Sequence, residues 1–282
     1  MKQIESLSNI QAEIDSFRSL GKTIGFIPTM GALHEGHLSL VKQSIIDNDI
    51  TVVSIFVNPA QFAPNEDFDQ YPRTIEQDVY LLDQLKYVDY VFTPRRDCFY
   101  PQDTTSMTQI HIPLLSTYYC GDSRPHFFDA VCSIVLRLFN CLFPTAAYFG
   151  EKDFQQLLII RNLVIQKKIK TKIIGCEIVR GKNGLALSSR NKLLDEHELK
   201  LAPILYQTLI EAKKLKNKLT PDEIIKYVEK KLSFFPSLNL EYFIIADEKS
   251  LTPIDNFNIN KKIRTFIAVK FGKIRLIDNL QF

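Results

Sequence analysis

Five short apolar runs, separated by amphipathic stretches, constrain this chain more than any other feature. Residues 23–27, 50–56, 87–92, 146–149 and 172–179 read as strands, because they are short, largely apolar and mostly rich in β-branched or aromatic side chains. Apolar residues at helical spacing fall between them, over residues 38–47, 74–85, 130–143 and 154–166. Strand and helix in alternation, with strands apolar on both faces, predict a Rossmann-like parallel sheet with helices on both faces. Ligands of such sheets bind beyond the C-terminal strand ends, where the strand order reverses.

The glycines and polar clusters fall at those ends. After the first run comes Met30-Gly-Ala-Leu-His-Glu-Gly-His37, which holds two of the chain's five histidines and two of its ten glycines. Glycine lets the backbone approach a ligand, and the first N–H groups of a helix favour an anion. His34 and His37 are three apart, so a helix starting near residue 34 puts them on one face of its first turn. After the second run, Phe56-Val-Asn-Pro-Ala-Gln-Phe62 offers Asn58 and Gln61 around a turn fixed by Pro59. Each amide is both donor and acceptor, which suits hydroxyl and carboxylate recognition. Gly150-Glu-Lys-Asp-Phe-Gln-Gln156 is again a strand-to-helix junction, with Asp153 as expected N-cap, Lys152 as a point charge for phosphate, and Gln155 and Gln156 in the first turn.

Beyond Arg190 the pattern changes to a smaller α+β domain. Residues 195–216 read as one long charged helix, and Thr220-Pro-Asp-Glu223 opens another with Thr220 as N-cap, Pro221 first in the helix and Glu223 closing a capping box. Residues 240–246, 264–271 and 273–277 are strand-like, the last two joined at Gly272. The expected division is residues 1–184 and 185–282. At the junction, Gly184-Leu-Ala-Leu-Ser-Ser-Arg-Asn191 gathers two hydroxyls and a guanidinium that can clamp phosphate.

Composition narrows the function. With 35 basic against 32 acidic residues the net charge is +3, too small for a dedicated nucleic-acid surface, and the lysine runs read as solvated faces. The five cysteines contain no C-x-x-C pair, so neither a disulfide framework nor a zinc site is expected and a reducing cytoplasm fits. No apolar run approaches the ~18 residues needed to span a bilayer, so no membrane association is expected. A G-x-x-x-x-G-K-[ST] loop, a G-x-G-x-x-G after the first strand and a G-x-S-x-G elbow are all lacking.

Taken together, Pro28-Thr-Met-Gly-Ala-Leu-His-Glu-Gly-His37, Val53-Ser-Ile-Phe-Val-Asn-Pro-Ala-Gln-Phe62, Tyr71-Pro-Arg-Thr74, Gly150-Glu-Lys-Asp-Phe-Gln-Gln156 and Gly184-Leu-Ala-Leu-Ser-Ser-Arg-Asn191 resemble the pantoate–β-alanine ligases in order and spacing. That family belongs with the nucleotidylyltransferases and class I aminoacyl-tRNA synthetases, whose H-x-G-H loop is similar to His34-Glu-Gly-His37. The resemblance implies two steps: pantoate and Mg-ATP form pantoyl adenylate and pyrophosphate, then the β-alanine amine displaces AMP. It implies ATP contacts from Met30, Gly31, Ala32, Leu33, His34, Glu35, Gly36 and His37, with His37 as proton donor. Gly150, Glu151, Lys152, Asp153, Val179, Leu187, Ser188, Ser189 and Arg190 would complete the ATP site, and His34, His37, Lys152 and Arg190 are the catalytic candidates. Gln61 and Gln156 would hold pantoate, Asn58 would support that pocket, and Asp78 would belong to the magnesium surroundings. No protein ligand for Mg2+ is assigned. A homodimer is implied, as is a C-terminal domain that closes over the site.

One loop departs from the family. Where its members usually read Arg-Pro-Gly-His-Phe, this chain has Arg124-Pro-His-Phe-Phe128, so that Phe127 replaces the histidine unless a one-residue slip brings His126 into register. Two rival functions use the same features: AMP transfer to a phosphate acceptor, against which Gln61 and Gln156 argue, and a silent nucleotide-binding module, which would be expected to lose a phosphate-contacting group.

Overall fold

The predicted alternation is realised as six parallel strands, β1 (Lys2–Ile4), β2 (Ile24–Thr29), β3 (Ile50–Ile55), β4 (Tyr90–Phe92), β5 (Ala146–Gly150) and β6 (Lys172–Cys176), in the order β1-β4-β3-β2-β5-β6. The computed structural model describes residues 1–62, 68–100, 110, 112, 115–124, 126–257 and 260–282. Every residue of β3 is buried, and strand side chains alternate between faces, so both faces of the sheet are covered. The helices of this part of the chain are α1 (Leu7–Ser19), α2 (Glu35–Asp47), α3 (Ile75–Asp83), α4 (Cys120–Ser123), α5 (Phe127–Leu142) and α6 (Phe154–Gln166) among the described residues. Ile27, Val53 and Val91 from the strands pack with Leu38 and Val41 of α2 and Leu82 of α3 in one core cluster.

β2 pairs with β3 on one side and β5 on the other, and the strand order reverses between β2 and β5. α2 lies close enough to this pair that a Cβ on Gly25 would come within 2.1 Å of Ser44 Oγ. That approach holds the last turn of α2 against the start of β2, and the histidine loop joins their other ends.

The chain separates into two compact units, Met1–Glu151 with Gln156–Glu177, and Lys152–Gln155 with Ile178–Phe282. The second unit has an antiparallel sheet, β7 (Leu238–Asp247), β8 (Ile263–Phe271) and β9 (Ile274–Gln281), with β8 in the middle. Leu205, Leu209, Ile224 and Val228 pack on Phe243, Ile267 and Val269 to form its core. The single helix expected over residues 195–216 is instead two, α7 (Glu196–Leu201) and α8 (Ile204–Leu215). Pro203 separates them, because proline supplies no N–H to continue the ladder and its ring crowds the preceding turn. The next helix, α9 (Pro221–Leu232), begins as expected, with the Thr220 and Glu223 side chains capping reciprocally. Among the described residues no helix is long and apolar enough to cross a membrane.

Candidate active site

The loop between β2 and α2 is shaped by its own backbone bonds. Gly31 and Ala32 both have positive φ, at 82° and 51°. This turns two successive N–H groups inward: Ala32 donates to Asp78 Oδ2 at 2.9 Å and Leu33 to Asp78 Oδ1 at 2.7 Å. Thr74 Oγ1, one turn earlier on α3's leading edge, donates to the same Oδ1 at 3.3 Å. Asp78 is 1% exposed. The carboxylate expected in the magnesium surroundings lies beneath the loop, where its oxygens accept from the buried Ala32 and Leu33 N–H groups.

His34 is the N-cap of α2, and its Nδ1 accepts the Gly36 N–H at 3.1 Å. The His37 and Leu38 N–H groups both reach the His34 carbonyl, at 2.8 and 3.0 Å. The sequence suggests an anion held by free first-turn N–H groups. Here Gly36 and His37 satisfy theirs within the turn, on the ring and carbonyl of His34. Since His34 Nδ1 accepts, the neutral ring carries its proton on Nε2. The His37 ring lies 4.1 Å from that of His34, centroid to centroid.

Asn58 and Gln61 share a 3-10 turn, Pro59–Gln61, that follows β3. Asn58 is 1% exposed and partnered through both amide atoms: Tyr100 donates to its Oδ1 at 2.6 Å, and its Nδ2 reaches the Ala130 carbonyl at 3.4 Å. Burial raises the Tyr100 pKa above the usual tyrosine value, which keeps the phenol a donor. Gln61 differs. Its Oε1 is buried and has no hydrogen-bond partner among the described residues. Arg124 anchors the same turn by donating to the Gln61 carbonyl at 3.0 Å, and its guanidinium stacks 3.7 Å above the Phe127 ring. In the departing loop, then, Phe127 is a platform for Arg124, while His126 is exposed at the start of α5 with φ 68°. Pro125 lies outside the described residues. Gln156 enters the first turn of α6, as expected.

In the second unit, a hairpin-like turn places Leu187 N–H on the Val179 carbonyl at 3.0 Å and bridges Arg180 with Ala186. Val179 and Leu187, eight apart in sequence, thus become neighbours. Arg180 braces the turn through two bonds to Asp278, at 2.5 and 2.8 Å, and stacks 3.9 Å from the Tyr206 ring. Ser188 then caps a short 3-10 helix, Ser189–Leu193, its Oγ accepting from Arg190 N–H at 3.3 Å. Lys152 also belongs to this unit. Its carbonyl accepts from Asn279 Nδ2 at 3.0 Å, and its ammonium lies 3.7 Å from Asp153. Asn279 Oδ1 in turn accepts from Arg264, which stacks on Phe154 at 3.8 Å and pairs with Glu248. Asp153 is not the N-cap expected: it ends a 3-10 turn, Glu151–Asp153, that runs directly into α6. Among the described residues no group of three or more His, Cys, Asp and Glu side chains could hold a metal ion.

A parallel sheet covered on both faces, with paired imidazoles and amides over its strand ends at the point of order reversal, defines an α/β enzyme of the switch-point class that acts on small polar substrates. The model of the pantoate-beta-alanine ligase family matches residues 2–281. The chain is 47% identical to the pantothenate synthetase of Flavobacterium psychrophilum, covering 98% of each chain, and 46% identical to that of Thermosipho africanus over 99% and 98%. Its fold matches the crystal structure of the Thermus thermophilus pantothenate synthetase with a TM-score of 0.91 at 36% identity, covering 100% and 99%. It also matches a Francisella tularensis pantoate-beta-alanine ligase, solved with beta-gamma ATP and beta-alanine, with a TM-score of 0.81 at 34% identity over 100% and 97%. The chain belongs to the pantoate–β-alanine ligase family, and its activity is that of a ligase.

Asp78, Tyr100, Arg124, Arg264 and Asn279 support the candidate residues without standing out in the sequence. Only Asp78 and Arg124 carried any signal there, one next to Tyr71-Pro-Arg-Thr74 and the other in the departing loop.

Proposed function

We propose that the chain condenses pantoate with β-alanine at the expense of ATP, through a pantoyl adenylate. In the first step a pantoate carboxylate oxygen bonds to the α-phosphorus as the bond to pyrophosphate breaks. In the second the β-alanine amine attacks the acyl carbon and AMP leaves. The first step brings two anions together, so fixed donors must offset repulsion that grows toward the transition state. His34 and His37 supply ring N–H groups, with His37 as proton donor, while Lys152, Ser188, Ser189 and Arg190 supply charge and hydroxyls to the phosphates. Met30, Gly31, Ala32, Leu33, Glu35, Gly36, Gly150, Glu151, Asp153, Val179 and Leu187 complete the nucleotide contacts. Magnesium enters with the nucleotide, since it commonly keeps its waters and binds through substrate phosphates.

The observation that carries this reading is the buried amide oxygen of Gln61, which has no hydrogen-bond partner among the described residues. Buried acceptors are normally satisfied, so one left open calls for a donor from the ligand. Pantoate offers hydroxyl donors to that oxygen, whereas the phosphate group of the rival acceptor class is mainly a hydrogen-bond acceptor at neutral pH. Gln61 and Gln156 therefore hold pantoate, with Asn58 as the buttress beneath. All five cysteines are free thiols, which supports a reducing, cytoplasmic setting, and family resemblance supports a homodimer.

The test is pantoate-dependent exchange of labelled pyrophosphate into ATP by the purified protein. Exchange is expected with pantoate and not with phosphate acceptors such as pantetheine phosphate, and its absence with pantoate would sink the reading. His37→Ala and Lys152→Ala should each slow exchange by about 10² to 10³ while the fold survives, the usual cost of losing one preorganised donor.

A further inference from the structure

We propose that Asp78 is the positioning residue of the nucleotide loop: a buried carboxylate that fixes residues 30–34 in a ligand-ready shape without touching the ligand. The inference rests on the reading of Met30–His37 as the ATP loop. Three observations on the protein carry it. Both oxygens are used, one on the Ala32 N–H at 2.9 Å and one on the Leu33 N–H at 2.7 Å. The loop backbone is left-handed at Gly31 and at Ala32, a conformation that a residue with a Cβ adopts only under constraint. The carboxylate is also seated tightly, since a Cβ on Gly31 would fall 2.9 Å from Oδ2 and 3.0 Å from Ile55 Cγ2.

The physical argument concerns charge as much as shape. Two N–H donors converging on one site need an acceptor-only partner, and an ionised carboxylate is the side chain that offers two oxygens and no donor. Charge-assisted bonds of this kind are stronger than neutral ones. With the Ala32 and Leu33 N–H groups committed downward, the turn that follows projects His34 and then His37 from a fixed start. An amide in place of the carboxylate would set an NH2 against a backbone N–H, and the loop would have to rotate away. Sequence separations of 46 and 45 residues mean that the anchor is tertiary. It works because α3 is packed on the sheet, with Leu82 fully buried in the same core as Leu33 and Leu38.

Asp78→Asn and Asp78→Ala, compared with the parent protein, test this through two readouts. The first is amide hydrogen exchange at Ala32 and Leu33 without nucleotide. The second is steady-state kinetics with ATP, pantoate and β-alanine varied in turn, repeated across a magnesium titration. The expected result is faster exchange confined to the loop, with KM for ATP raised by about 10- to 100-fold, the order of loss that misplacing a binding group by an ångström produces. KM for pantoate and for β-alanine should stay within about twofold. A merely structural role would lower the active fraction, and so kcat, with no change in KM for ATP. Unchanged amide exchange in both variants overturns the anchoring itself. Faster exchange with an unaltered KM for ATP shows that the loop is anchored but does not serve ATP, so that the underlying loop assignment fails. A defect abolished by excess magnesium makes Asp78 a metal ligand and overturns the proposal. Should Asp78→Ala fail to fold, Asp78→Asn, with nearly the same shape, still decides.

Discussion

Under the proposed function His34 would have two tasks, divided between its two ring nitrogens. Nδ1 caps α2 by accepting from Gly36, and Nε2–H would be the group that meets a phosphate. An asparagine at this position keeps an N-cap oxygen but has no group in the place of Nε2. His34→Asn should therefore keep its urea midpoint close to that of the parent and lose about 10²-fold in pyrophosphate exchange. His34→Ala should lose both the activity and about 1 kcal/mol of stability. Parent-like exchange in His34→Asn would show that capping is the residue's only contribution. The histidines were legible in sequence because glycine and histidine stood together between a strand and a helix. Asp78 was visible only as a carboxylate after Tyr71-Pro-Arg-Thr74. Its partners lie on another element, and no local spacing says which N–H groups a carboxylate will meet.

At the scale of elements, the interior strands were readable because a parallel strand buried on both faces must be an unbroken apolar run, as β3 is. β1 and α1 lacked that signature. Three residues make β1, and α1 buries only Ile10 and Ile14 of its thirteen. Supporting contacts were the least legible, because strand β9 braces a turn 127 residues earlier: Asn279 holds the Lys152 carbonyl and is itself held by Arg264. Nothing in the string Ile277-Asp-Asn279 hints at this. Asn279→Ala should leave a part-buried carbonyl and a buried guanidinium each short of a partner, at about 1–3 kcal/mol. It should also slow exchange, because the backbone of the turn that carries Lys152 loses its tether. Asn279→Asp keeps the acceptor for Arg264 and loses the donor for Lys152, so it should recover stability more than activity. The two variants are compared by denaturant midpoint and exchange rate, and equal recovery of both by Asn279→Asp would contradict this division.

Over the whole molecule, acid is expected to loosen both units, because each keeps carboxyls with depressed pKa values. In the first unit Asp49 is lowered by the Thr23 N–H, then by the Thr23 hydroxyl and Lys22. In the second, burial alone would raise Glu241, but hydrogen bonds from Lys270 and Arg275 outweigh it and hold the carboxyl below 4.5. Asp247 behaves alike: burial is outweighed by the Ser250 N–H and hydroxyl, Lys261 and the Lys249 N–H. A carboxyl whose folded pKa lies below its unfolded value binds fewer protons folded than unfolded, so its stabilisation is full above the unfolded value and is lost as pH falls through the folded one. With reference values of 4.5 for Glu and 3.8 for Asp, the loss should begin near pH 4.5 and deepen below 3.8. Urea midpoints by circular dichroism should thus be level from about pH 7 to 5 and drop steeply toward pH 3. Glu241→Gln should be less stable than the parent at pH 7 and fall less between pH 5 and 3, since its share of the linkage is gone. If Glu241→Gln lost as much stability over that interval as the parent, the Lys270 and Arg275 pairs with Glu241 would have no part in the acid response.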